Sequence, residues 1–193
     1  MTQRLPGLSD QEATTGVAKA TLDGSTKLLG RSSNLLRILS AHTPYLARWF
    51  IGFVAAVRQP NVGAVSDVKL RNLATIKTSM VNECKYCSTH TSIYGQALGV
   101  SEAQLEAMKG DAWKTSPLFS DAEIVEITLA SAMFNMINRL NDTFWTELET
   151  VEYNRRQGNA VKGVTVSDIE AFANTFAPTG EAQRRAESSV AAE

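Results

Sequence analysis

The chain's 193 residues, 44% of them apolar, suffice for one domain with an ordinary core and exclude a disordered chain. A formal net charge of -1 and a pI of about 6.2 give no electrostatic footing for nucleic acid or an anionic membrane surface. Met1-Thr2-Gln3-Arg4-Leu5-Pro6 lacks the apolar run of a signal peptide, and the greasy stretch from Trp49 to Val57 is too short to span a bilayer. The expected setting is therefore cytoplasmic.

Helical periodicity dominates along the chain. Pro44 suits a first helical turn, and Leu46, Trp49, Phe50, Phe53, Val54 and Val57 then recur at steps of three and four, predicting one buried helical face. After Ser66-Asp67, a second stripe runs through Leu70, Leu73, Ile76 and Met80. Val125, Leu129, Ala132, Met133, Met136 and Leu140 make a third. Helix starts of the capping-box kind, a Ser followed three residues later by Glu or Gln, occur at Ser9/Glu12, Ser101/Gln104, Ser120/Glu123 and Ser167/Glu170. Breaks are expected at Gly24, Gln59-Pro60-Asn61, Gly99, Gly110, Ser116-Pro117, Gly158 and Pro178. The pattern predicts an all-α, compact bundle of roughly seven to nine helices. One domain is expected over residues 1–180, with 181–193 as a C-terminal tail that frays or packs on a partner subunit.

The chemistry concentrates in Cys84-Lys85-Tyr86-Cys87-Ser88-Thr89-His90, which holds both cysteines and one of the two histidines. With Asn82 as N-cap, a helix is predicted from Glu83 to about Leu98, stopping at Gly99. Cys84 then lies in the first turn, where amide groups and the helix dipole favour a thiolate. Cys87 and His90 follow at intervals of three and share its face. Three readings are open. The pair can be a redox dithiol with an imidazole near enough to move protons. It can be a metal site, for which Cys84, Cys87, His90 and the distant His42 would exhaust the available ligands. Or the cysteines can be small buried hydrophobes beside a satisfied histidine.

The stretch from Leu70-Arg71-Asn72-Leu73 through Cys84-Lys85-Tyr86-Cys87-Ser88-Thr89-His90-Thr91, and onward to Ala97-Leu98-Gly99-Val100, resembles the AhpD-like alkylhydroperoxidase and carboxymuconolactone decarboxylase superfamily. Ile137-Asn138-Arg139-Leu140-Asn141 is similar to the end of that family's downstream helix, so the resemblance covers about residues 40–140. It implies an all-α protein that assembles as a homo-oligomer, a trimer or hexamer, and that needs no metal or cofactor. It also implies roles. Cys87 would be the thiol attacked by a hydroperoxide, Cys84 its partner in the disulfide, His90 the proton-relay imidazole, and an external dithiol the reductant.

Two positions depart from the family pattern. The relay His of the peroxidase form stands where this chain has Thr91, so His90 is turned by about 100° around the helix. The relay Glu, twelve residues before the first cysteine, is replaced by Asn72, which can hydrogen-bond but cannot take a proton. The complete relay is absent, and Glu123 and Glu126 are the carboxylates considered as substitutes. The expected function is a thiol-dependent peroxidase-like oxidoreductase. The alternatives are a carboxymuconolactone decarboxylase-like enzyme acting on a lactone or keto acid, and a non-catalytic, redox-sensitive assembly protein.

Other residues receive structural readings. His42 is expected near a helix start, Trp49, Phe50 and Phe53 in the core or a subunit interface, and Tyr86 packed or lining the route to the sulfurs. Asn138, Arg139, Asn141 and Asp142 form a polar cluster that either faces the site or caps its helix. No phosphate-binding loop, HExxH or Ser/His/Asp grouping supports a hydrolase.

Overall fold

A computed structural model of the protein describes residues 3–60, 62–102, 120–154 and 163–174. Its helices are α1 (Gly16–Leu29), α2 (Asn34–His42), α3 (Pro44–Arg58), α4 (Val68–Val81), α5 (Lys85–Ala97), α6 (Asp121–Phe144) and α7 (Val166–Asn174). Among the described residues there is no strand, and the all-α expectation holds. No helix there is long and apolar enough to cross a membrane. The expected Ser101/Gln104 box, the breaks at Gly110, Ser116-Pro117, Gly158 and Pro178, and the 181–193 tail all involve positions outside these stretches.

The helices pack in two groups. α1, α2 and α3 lie against one another with α7 added to α1 and α3, while α4, α5 and α6 form the second group. α3 joins them by packing on both α4 and α6. The main core runs through this junction and includes Leu28, Leu36, Ile51, Val54, Met133, Phe134, Ile137 and both cysteines.

The predicted helices are present, but their buried faces are rotated from the predicted stripes. On α3 the inward residues are Ala47, Ile51, Val54, Ala55, Val57 and Arg58. Leu46 and Trp49 are 68% and 60% exposed, so together with Tyr45 and Phe53 they form an outward apolar face. On α6, Ala130, Met133, Phe134, Ile137, Asn138 and Asn141 turn inward, whereas Val125, Leu129 and Met136 are exposed. α4 departs most. It buries Arg71, Asn72, Thr75 and Ser79 around Ile76, a polar face that apolar periodicity cannot reveal.

Helix ends follow capping chemistry more closely. Ser120 and Glu123 close a complete capping box on α6, and Ser9 and Glu12 exchange the same bonds in a turn. At α7 the reciprocal pair is Thr165/Asp168 instead of Ser167/Glu170, because Thr165 stands at the helix start and Ser167 lies within it. His42 ends α2 and directly precedes Thr43, the N-cap of α3, so it lies near a helix start as expected, and its Nε2 meets the Pro6 carbonyl at 3.1 Å.

Gly24 is not a break. It lies inside α1, where a Cβ would fall 1.9 Å from the Phe172 ring of α7. The missing side chain is what lets α7 approach. Gly24→Ala is expected to cost about 1–3 kcal/mol in urea denaturation through overpacking. In a Phe172→Ala background the same change is expected to be neutral or stabilising by up to about 1 kcal/mol, because helix propensity then acts alone.

Candidate functional site

The site begins at the junction between α4 and α5. Asn82 caps α4, Glu83 takes a left-handed conformation (φ 55°), the Glu83 amide bonds to Met80 O and the Cys84 amide to Ser79 O. These paired bonds are a Schellman closure, and they turn the chain within two residues. α5 therefore starts at Lys85, later than expected, and its N-cap is Cys84 rather than Asn82. The Cys84 sulfur accepts the Cys87 amide at 3.4 Å, so a thiol fills the place normally taken by a capping oxygen.

The two sulfurs lie 2.8 Å apart as free, buried thiols. Cys84 donates to Cys87 when both are thiols, and Cys87 donates back once Cys84 is the thiolate, so the two groups split on ionisation. Hydrogen bonding from Cys87 holds the Cys84 thiol below its usual range against the opposing effect of burial. The same bond, with burial, pushes the Cys87 thiol up. The first negative charge of the pair therefore belongs at Cys84, on the N-terminus of α5. Asn141 of α6 donates from Nδ2 to the Cys87 sulfur at 3.2 Å. Of the polar cluster closing α6, Asn138 and Asn141 are buried facing the site and Arg139 is exposed, while Asp142, also exposed, lies close enough to oppose ionisation of both thiols.

His90 lies one turn further along α5, buried beneath the Tyr86 ring at a centroid distance of 4.2 Å. Its Nδ1 is hydrogen-bonded to Arg31 Nη2. A guanidinium only donates, so Nδ1 must be the acceptor and the ring proton must sit on Nε2. Nε2 faces Glu149 Oε2 at 2.8 Å, a close electrostatic contact that is out of line for a straight hydrogen bond. Burial, with Arg31 adding to it and Glu149 opposing it, lowers the His90 pKa to about 4. The imidazole is therefore neutral near pH 7.

Glu149 is the carboxylate that the sequence did not reveal. Asn72, at the expected relay position, instead donates to the Thr91 carbonyl and packs against Gly95. Glu123 is spent in the α6 capping box, and Glu126 accepts the Val65 and Ser66 amides. Neither substitutes at the site. Glu149 reaches it because Trp145 reverses the chain after α6 (φ 51°), with the Thr146 amide on Asn141 O. Its carboxylate then accepts Tyr86 Oη at 2.9 Å, Arg31 Nη1 at 3.3 Å and the Asn34 amide at the start of α2. Burial opposes ionisation, but His90, Arg31 and the Asn34 amide outweigh it and hold the carboxyl at about 2.

Cys87, Tyr86 and His90 open on a cavity of about 60 Å³, room for about four to six waters. Its walls include Leu29, Leu36, Phe50, Val54, Phe134 and Ile137, with Arg31 and Arg58 among them. Tyr86 thus packs on His90 and also borders the route to Cys87. Arg31 and Arg58 carried no sequence signal, since each sits alone near a helix end.

The residues do not suit a metal. His90 Nδ1 is occupied by a cation, and His42 bonds to Pro6 on the surface. Among the described residues no three His, Cys, Asp or Glu side chains are grouped to hold one.

No family model matches the sequence, and no curated protein does. Among solved structures, the crystal structure of the debrominase Bmp8 in its apo form matches with a TM-score of 0.54. The alignment covers 81% of this chain and 96% of that one at 16% identity. This likeness establishes a shared helical fold.

The buried His90–Glu149 pair predicts acid sensitivity. The unfolded chain takes up a proton on His90 near pH 6.5, while the folded chain resists until about pH 4. Stability is therefore expected to fall as pH drops between these values, by up to about 3 kcal/mol. The depressed Glu149 acts lower, its contribution being lost as pH falls from about 4.5 through about 2. Urea denaturation at pH 7, 5.5 and 4.5 checks this, and His90→Gln should remove the slope above pH 4.5.

Proposed function

We propose that the protein is a dithiol oxidoreductase of the AhpD-like type that reduces small hydroperoxides. The observation that supports this most is the 2.8 Å contact between two free thiols, one of which borders a largely apolar cavity.

The reactive form is the dithiol monoanion, with one proton shared between the sulfurs. Transfer of that proton to Cys84 places the thiolate on Cys87, where Asn141 donates to it and the cavity gives access. Cys87 attacks the outer peroxide oxygen and the O–O bond breaks. The departing alkoxide takes the Cys84 proton, leaving a sulfenic acid on Cys87 and a thiolate on Cys84. Cys84 then displaces hydroxide, which becomes water with a solvent proton, and the disulfide forms. An external dithiol restores the pair by exchange. In this scheme His90 is a positioning residue, because Arg31 and Glu149 engage both of its nitrogens and direct its proton away from the sulfurs.

The fold shared with a debrominase favours a second substrate for the same electrons. A dithiol can remove bromine reductively: the C–Br carbon gains a proton, bromide leaves, and the two thiols give up two electrons as a disulfide. Both readings make Cys84 and Cys87 indispensable, unlike a lactone decarboxylation.

Thiol titration with intact-mass analysis tests the peroxidase reading. After one equivalent of tert-butyl hydroperoxide, the wild type should lose both thiols without gaining oxygen. Cys84→Ser should stop at one added oxygen that a sulfenic-acid reagent traps. Cys87→Ser should consume no peroxide, and a variant that consumes it like the wild type would refute Cys87 as the nucleophile.

A further inference from the structure

We propose that Arg58 is a substrate-binding residue and that the cavity takes a small organic monoanion, an apolar body carrying one carboxylate, with its reacting end at Cys87. The assignment of that reacting end rests on the dithiol reading above.

Among the described residues three arginines are buried, Arg31, Arg58 and Arg71. Arg71 is fully engaged in structure, with Nε on Val57 O at 2.7 Å, Nη2 on Gln59 O at 3.0 Å and Nη1 on Ser66. Arg31 serves His90 and Glu149. Arg58 differs. Its side chain borders the cavity, and its Nε and Nη2 have no hydrogen-bond partner. It lies over the faces of Tyr94 and Phe134, at 4.2 and 5.5 Å from their centroids, which compensates the cation without using its N–H donors. Burial lowers its pKa to about 10, so it stays charged at neutral pH.

An unpaired buried cation is costly, and a hydrophobic residue of similar size would serve the core better. Among the described residues no Asp or Glu lines the cavity to neutralise it. The remaining walls are mostly aliphatic and aromatic, suited to a short apolar chain that fills the space of about four to six waters. A carboxylate presents two acceptors to a guanidinium, and that of Arg58 stands at the cavity wall with buried donors that no protein group uses. The cavity thus supplies an apolar enclosure, one unsatisfied guanidinium and a reactive sulfur on its wall.

Butyrate and its neutral isostere butyramide, each of a size the cavity can hold, are the probes, measured by isothermal titration calorimetry on the reduced protein. The wild type should bind butyrate at least tenfold more tightly than butyramide. Arg58→Met should erase that preference, and Arg58→Lys should keep part of it. Saturating butyrate should also slow alkylation of Cys87 by iodoacetamide at least fivefold, a readout that needs no variant. Equal binding of the two probes, a preference that survives Arg58→Met, or an unprotected Cys87 would each overturn the proposal. Tert-butyl hydroperoxide carries no charge, so failure of the thiols to react with it would refute the dithiol reading while leaving the butyrate result to decide the anion site.

Discussion

The arrangement of the site depends on a single buried carboxylate. Glu149 joins the start of α2 through the Asn34 amide, α5 through Tyr86 and His90, and the α1–α2 connection through Arg31. These groups come from three stretches of chain, 31–34, 86–90 and 149, each more than 50 residues from the next. Taking such a charge out of water costs several kcal/mol unless it is well paired and hydrogen-bonded. Oε1 accepts from Tyr86, Arg31 and the Asn34 amide while Oε2 lies against the imidazole, and this network fixes the imidazole's tautomer, the tilt of the Tyr86 ring and the direction of the Arg31 guanidinium. One wall of the cavity beside Cys87 is thereby held by electrostatics, while the opposite wall is held by packing from α3 and α6.

The cysteine pair is built on a different principle. It belongs to backbone geometry, because the Schellman turn ending α4 leads directly into Cys84 as the N-cap of α5. Capping and reactivity thus fall on one atom. The sulfur that accepts the Cys87 amide is also the sulfur on which a negative charge is best tolerated, and the second sulfur is the one the cavity reaches. That division separates storage of charge from exposure to substrate. A thiol that is both ionised and accessible would be open to any oxidant, whereas here the charge must shift between sulfurs before reaction at Cys87.

The sequence carried the helices and the cysteine motif because both are local. Capping at Ser120/Glu123, Pro44 at a first turn and the stop at Gly99 all depend on residues within one turn. Buried faces were less legible, since Leu46, Trp49, Val125 and Leu129 continue an apolar stripe onto surface that this chain leaves exposed. α4 shows the converse, where Arg71, Asn72, Thr75 and Ser79 are buried by making hydrogen bonds. The site was half visible. Cys84, Cys87 and His90 share one helix and announce themselves by spacing, but Glu149, Arg31, Arg58 and Asn141 arrive from other elements, and no sequence interval relates them to the motif. Glu83 and Trp145 were hidden for a further reason: both adopt left-handed turns usually signalled by glycine or asparagine.

The charges of the site explain how a substrate anion and a dithiol anion could occupy it together. Two buried guanidiniums, Arg31 and Arg58, stand against one buried carboxylate, since His90 is neutral and Asp142 acts on the thiols from the surface. Arg31 is committed to Glu149 and the imidazole. If the dithiol's charge relied on Arg58, binding an anion there would remove its compensation and raise the thiol pKa just when a thiolate is needed. The N-cap geometry avoids that conflict. Cys84 draws its stabilisation from the Cys87 thiol and the amide end of α5, leaving Arg58 available to the cavity. Two anions in one small cavity would repel each other at low dielectric. Placing one on a helix N-terminus and the other on a guanidinium lets each be neutralised locally, and the thiolate needs to appear on Cys87 only at the moment of attack.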